Sequence, residues 1–180
     1  MLKERMIAME KFTRRAKIQD VDAIVEIIND AKAFFKTAGS PQWQSGYPNR
    51  KTILDDIKEN NGYVFVVGGQ VAAYAAVIVG PDPNYAKIDG AWQDNDDPYA
   101  TVHRICISSD FQGQGLAGIF YSNILSLLYA RGIRNFRVDT YKLNQPMQKL
   151  AKKNGYVYRG IIQVEDPIDP DRLAYELNLE

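Results

Sequence analysis

Val102-His103-Arg104-Ile105-Cys106-Ile107, followed by Ser108-Ser109-Asp110-Phe111 and then Gln112-Gly113-Gln114-Gly115-Leu116-Ala117-Gly118, is the segment on which the fold turns. The β-branched run from Tyr99 to Ile107 predicts a strand, and the apolar run from Leu116 to Arg131, closed by Gly132, predicts a helix. Between them lie small residues that let successive backbone N–H groups point at one place, next to the positive end of the following helix. Such a turn makes a socket for phosphate oxygens. Gly113 to Gly118 also spells G-x-G-x-x-G, the dinucleotide fingerprint, with Asp139 at about the expected distance downstream. The context argues against that reading. Five residues separate the strand from the first glycine, three further strands are expected before that strand, and too little chain follows Asp139 for a doubly wound sheet.

Working outward, Phe12 to Lys17 reads as a first strand, and Asp20 as the cap of a helix reaching about Lys36. Lys51 to Glu59 predicts a second helix. Gly62 to Val67 and Val71 to Val79 predict a hairpin closed by Gly68-Gly69, a pair suited to positive φ. Beyond the glycine loop and its helix, a strand is expected over Phe136 to Thr140, a helix over Gln145 to Lys153, and strands over Tyr156 to Gln163 and Leu173 to Leu179. The order β-α-α-β-β-β-α-β-α-β-β predicts an α/β fold, a mixed twisted sheet with helices on both faces. One domain over residues 1–180 is expected, because the length suits a single core and no linker or repeat interrupts it.

The bulk numbers exclude several classes. Lys plus Arg and Asp plus Glu number 22 each, so no global field attracts nucleic acid or an anionic membrane. Cys106 is the only cysteine and His103 the only histidine, so neither an intrachain disulfide nor a Cys- or His-cluster metal site is expected. Met1 to Lys11 has no unbroken apolar stretch of signal-peptide length, and Val71 to Val79, the longest apolar run, is about half a membrane span. A cytoplasmic protein with no membrane partner is the expectation.

Shifted by one residue, Gln112-Gly113-Gln114-Gly115-Leu116-Ala117 fits the pattern Gln/Arg-x-x-Gly-x-Gly/Ala, and the chain resembles the GCN5-related N-acetyltransferases (GNAT) over nearly its whole length. Val102 to Ile107 is similar to that family's splayed fourth strand. Asn144, a helix and then Asn154-Gly155-Tyr156 are similar to its later asparagine-helix-glycine segment. The resemblance implies transfer of an acetyl group from acetyl-CoA, as co-substrate and without metal, to a primary amine. A small molecule or a peptide N-terminus would serve as acceptor, attacking directly in a ternary complex. It implies cofactor contacts from Ile105, Cys106 and Ile107, from Gln112, Gly113, Gln114, Gly115, Leu116 and Ala117, and from Asn144, whose competing role is a plain helix cap. A homodimer is left open.

Acyl transfer to an amine needs a proton acceptor, and His103 is the candidate general base, with structural packing as the competing role. Regular alternation would put His103 on one face with Ile105 and Ile107 and Cys106 on the other. The general acid is unassigned, because Ala151 stands where the family often has tyrosine, and Tyr156 and Tyr158 read as core residues. Ala151 also supports a competing reading, a module that binds acyl-CoA without turnover. Trp43 and Tyr47 lie in the loop that would face an acceptor, where they line a pocket or pack beneath one. The connection from Gly80 to Pro98 carries Asp82, Asp89, Asp94, Asp96 and Asp97 with Tyr85 and Trp92. It suits a cationic acceptor, or is simply a solvated acidic loop.

Overall fold

The computed structural model describes residues 9–180, so most of the N-terminal stretch inspected for a leader lies outside the described residues. The strands are β1 (Lys11–Arg15), β2 (Gly62–Val67), β3 (Gln70–Val79), β4 (Asp89–Gly90), β5 (Tyr99–Ile107), β6 (Asn135–Thr140), β7 (Val157–Gln163) and β8 (Asp171–Asn178). The helices are α1 (Val21–Thr37), α2 (Arg50–Lys58), α3 (Leu116–Tyr129) and α4 (Gln145–Lys153). The strands form one mixed sheet in the order β1-β2-β3-β5-β6-β8-β7-β4. No described helix is long and apolar enough to cross a membrane.

Alternation along the strands divides the core. Phe65, Ala75, Val102 and Val138 face α3 and α4, where Leu116, Phe120, Ile124 and Ala151 meet them. Val64, Val66, Tyr74 and Ala76 face α1 and α2 through Ile24, Ile28 and Ile53. Farther along this second face, Tyr85, Trp92, Ile162 and Ala174 form a smaller cluster under the Gly80–Pro98 connection. That connection is fastened down. Glu176, fully buried, accepts from the Gln93 N–H (2.6 Å) and pairs with Arg137 (3.4 Å) and Arg159 (3.1 Å). Arg137 in turn lies over the rings of Trp92 and Tyr99.

The expected elements form with ends displaced by two residues or fewer, and β4 is additional. Two residues cannot announce themselves as a strand, and these two exist only by pairing with Ile161 and Gly160 of β7. The glycine hairpin forms as its chemistry requires, with φ of +55° at Gly68 and +80° at Gly69. The Asp20 cap does not form. Its carboxylate turns back to Arg14 (2.7 and 2.9 Å) and the Lys17 N–H (2.7 Å), because a charged partner outbids a helix-end amide.

Two irregularities set up the site. Strands β5 and β6 are parallel but pair only from Tyr99, Ala100 and Thr101 to Asn135, Phe136 and Arg137. Beyond that register they diverge, leaving one edge of β5 open. On its other edge, β5 carries a bulge. His103 sits opposite Ala76 and Cys106 opposite Tyr74, so three steps on β5 match two on β3, and Arg104 takes φ of +55°.

Candidate active site

A cleft of about 650 Å³ opens where β5 and β6 part, lined from the α1–α2 loop, the Gly80–Pro98 connection, both strands and the β7–β8 loop. The bulge decides what faces it. Without the extra residue, His103 would share a face with Ile105 and Ile107. Instead Ile105 and Ile107 pack against the α3–α4 core, whereas His103 and Cys106 emerge together on the α1–α2 face. The expectation from simple alternation is therefore corrected, because one inserted residue inverts the phase of everything after it.

His103 is mostly buried, and its Nε2 lies 2.9 Å from Oδ2 of the buried Asp82. The other Asp82 oxygen accepts from the Asn84 N–H (2.9 Å), and the Asp82 N–H donates to the Tyr99 hydroxyl (2.9 Å). Burial pushes the Asp82 carboxyl up, but His103 and the Asn84 N–H outweigh it and hold its pKa below the ordinary value. The Tyr85 and His103 rings are T-shaped with centroids 6.2 Å apart, and the Tyr85 hydroxyl donates to Asp139 (2.6 Å) on β6.

Arg104, at the bulge, is more buried still. Its guanidinium grips both oxygens of Asp56 on α2 (2.5 and 3.1 Å), which also accepts from the Tyr74 hydroxyl (2.6 Å). Arg104 donates as well to the hydroxyl of Tyr47. This ties the α1–α2 loop to β5 and holds Tyr47 at the cleft. Trp43 also lines the cleft and packs edge-on against Phe35, with ring centroids 5.3 Å apart.

The open edge of β5 is where an extended chain could add as a further strand. The Ser108 N–H donates to Ala72 on β3 (2.9 Å), so alternation turns the Ile105 and Ile107 N–H groups to the open side and that of Cys106 toward β3. Cys106 is thereby withdrawn from the open edge. Its thiol is buried and raised to about 12 by desolvation, which makes it a poor nucleophile.

In the glycine loop, Gln112 ends a 3-10 turn, and Gly113 and Gly115 adopt φ of +75° and +71° before α3 begins at Leu116 and Ala117. Among the described residues, no turn or loop carbonyl accepts from the N–H groups of Gly113, Gln114 or Gly115. They stand beside the unpaired first turn of α3, an arrangement that fits a diphosphate. A Cβ built on either glycine would meet nothing within 4 Å, so the space before the loop is free. A second hollow of about 360 Å³ adjoins it, between Gly115, Gly118 and Asn123 and the Lys153-Asn154 end of α4. Asn144 lines the main cleft as the α4 cap, accepting from Met147 N–H (3.2 Å) and donating to Gln42 (3.3 Å).

The acid position stays without a candidate from the expected region. Ala151 is fully buried in the core, Tyr156 is buried against Tyr121, and Tyr158 packs on Tyr175 outside the cleft. The acidic connection divides. Asp82 reaches the cleft, Asp89 belongs to β4, and Asp94 folds back on the N–H groups of Asp96 and Asp97 (2.8 and 3.0 Å). Asp96 and Asp97 are exposed away from the cleft, and Tyr85 and Trp92 stack on each other at 5.5 Å as core. Expecting these residues at an acceptor is therefore corrected: the loop's first turn faces the cleft and the rest secures the far end of β5 and β6. Asp139 and Glu165 line the cleft instead. The sequence offers Asp139 only as the downstream residue of the dinucleotide fingerprint and gives no signal for Glu165, since nothing in a strand's end or a loop announces a shared cavity.

The Acetyltransferase (GNAT) family model matches residues 22–156. The chain belongs to the GNAT acetyltransferase family. A GNAT-family acetyltransferase from Streptococcus agalactiae 2603 is 39% identical, with a TM-score of 0.85 over 94% of this chain and 96% of that one. At 18% identity, the fold is also shared with a proposed acetyltransferase from Salmonella typhimurium solved with its cofactor acetyl-CoA, with a TM-score of 0.67 over 94% of each chain. The ribosomal-protein-S18-alanine N-acetyltransferase of Escherichia coli, likewise 18% identical, has a TM-score of 0.68 over 95% of each chain. No curated protein matches the chain significantly. The observed sheet and helices are those of this GNAT fold, as the resemblance implied.

Proposed function

We propose that the protein transfers an acetyl group from acetyl-CoA to a primary amine, both substrates being bound at once on opposite sides of the β5–β6 split. One observation carries this reading: the split joins an open strand edge and a glycine socket on one side to a buried histidine–carboxylate pair on the other. Gly113 to Ala117 would hold the diphosphate, and the Ile105 and Ile107 N–H groups the pantetheine and the acyl oxygen. Acetyl-CoA supplies the activated thioester when bound. His103 takes the proton that the amine must lose, and Trp43 and Tyr47 shield the cleft from water.

The acceptor side carries more free negative than positive charge. Arg104 and Arg172 are already paired with Asp56 and Asp166, whereas Asp139 accepts only the neutral Tyr85 hydroxyl. An amine with a second positive charge is the favoured acceptor class. The test is release of free coenzyme A with aliphatic diamines and matched monoamines at low and high salt. Diamines should show the lower KM, rising with salt. Asp139→Asn should raise it about fivefold, the worth of roughly 1 kcal/mol for a partly exposed pair, and Asp96→Asn with Asp97→Asn should leave it unchanged. Equal KM for diamines and monoamines sinks the cationic class. Tight acetyl-CoA binding with no coenzyme A release from any amine would favour the acyl-CoA-binding module that Ala151 suggests.

A further inference from the structure

The structure assigns Asp82 the role of positioning residue for the transfer: it fixes the tautomer and orientation of His103, so that the lone pair lies on Nδ1. This rests on the reading of His103 as the proton acceptor. Asp82 lies 21 residues upstream of the histidine in sequence, in a connection with no catalytic look about it, and only the folded turn brings the two together.

An ionised carboxylate can accept hydrogen bonds but cannot donate. Asp82 is held in that form, with both oxygens used: Oδ2 faces Nε2 of His103 and Oδ1 takes the Asn84 N–H. Nε2 must therefore carry the hydrogen, and Nδ1 is left free to receive one. The carboxylate is itself held by its surroundings. The Asn84 and Tyr99 bonds clamp its backbone turn, and Glu176 anchors the rest of the connection through the Gln93 N–H. The Tyr85 ring stands nearly perpendicular to the imidazole beside it. Once Nδ1 has taken the amine's proton, the imidazolium sits against a buried negative charge that needs no reorganisation to receive it.

Of the other charged groups lining the cleft, all but Glu165 have partners elsewhere, and Glu165 makes no bond to the imidazole. Arg104 and Arg172 are bound to carboxylates, and Asp139 is bound to Tyr85. Among the described residues Asp82 is the only one whose carboxylate lies within hydrogen-bond distance of the imidazole.

Asp82→Asn is the informative change. It keeps the shape and the acceptor for Asn84 but offers an amide N–H where Oδ2 stood, favouring the opposite tautomer with hydrogen on Nδ1. Because His103 is the sole histidine, untagged protein labelled with ¹⁵N-histidine gives a single imidazole spectrum that needs no acceptor. Wild type should show Nε2–H with a bare Nδ1, and Asp82→Asn should move the hydrogen toward Nδ1. Coenzyme A release with 1,4-diaminobutane should fall at least 100-fold in kcat with acetyl-CoA affinity unchanged, and Asp82→Glu should recover part of it. An unchanged tautomer in Asp82→Asn, or a changed tautomer with normal turnover, overturns the assignment. If His103→Ala itself retains turnover, the base reading fails first and Asp82 falls with it. If His103→Ala is inactive while Asp82→Asn is normal, only the role of Asp82 is lost.

Discussion

At the scale of single residues, one inserted amino acid does the most. Arg104 at φ +55° throws His103 onto the acceptor face, beside Asp82, and leaves Ile105 and Ile107 on the other. That places the proposed proton acceptor across the open edge from the groups that would hold the acyl oxygen. On the proposed role, His103→Ala should lower kcat by roughly 100-fold or more with acetyl-CoA affinity little changed. Near-normal turnover would return the imidazole to a packing role. His103 itself was legible in the sequence, as the only histidine on a strand beside a phosphate-type loop. Its face was not, because a bulge depends on strain traded between neighbouring strands. Here the compensation comes from Asp56, forty-eight residues away, which grips the Arg104 side chain in place. Asp20 failed as a cap for a related reason: a competing cation, Arg14, was close in space in a way that local propensity does not record.

At the scale of elements, α3 shows what was legible and why. Its apolar spacing, the glycines before it and Gly132 after it are local signals, and they define the helix without tertiary information. Both ends demand a left-handed residue, Gly115 at φ +71° and Gly132 at φ +89°, and neither site is crowded. The two glycines thus carry similar backbone strain on substitution but differ in what lies nearby. Gly115→Val should reduce acetyl-CoA affinity at least tenfold, about 1.4 kcal/mol, by turning the loop N–H groups off their common target. Gly132→Val should destabilise the fold comparably and leave affinity intact. Titration calorimetry on both variants separates socket from strain, and equal affinities would remove the glycine loop from the binding site. The split between β5 and β6 was legible only through family resemblance. Nothing in Val102 to Ile107 or Val138 to Thr140 says that two β-rich strands will stop pairing after three residues.

At the scale of the whole molecule, buried carboxylates pin loops to the sheet and make the fold sensitive to acid. Asp20 ties Arg14 on β1 to the start of α1, Asp82 holds the cleft turn, and Asp166 pairs with Arg172 (2.7 Å) to close the β7–β8 loop. Burial raises each pKa, but hydrogen bonds bring all three below the ordinary 3.8: from Arg14 and the Lys17 N–H, from His103 and the Asn84 N–H, and from the Ile168 N–H and Arg172. The sign follows from linkage. A carboxyl with a lower pKa in the folded than in the unfolded chain stabilises the fold above the unfolded value, and that contribution is lost as pH falls through the folded value. As far as these groups decide it, Tm should stay level from neutral pH to about pH 5 and drop steeply below 3.8, where the unfolded chain takes up protons that the folded chain still refuses. Asp20→Asn should cost about 1–3 kcal/mol at pH 7, since a charge-assisted pair is lost from a part-buried site. The same variant should show a shallower fall of Tm between pH 4 and 2, because one of the three proton-linked contributions is already gone. Thermal unfolding of wild type and variant across that range checks both parts. Parallel curves for the two proteins would mean that Asp20 gives the fold no acid-sensitive stability, and that the drop belongs to other carboxylates.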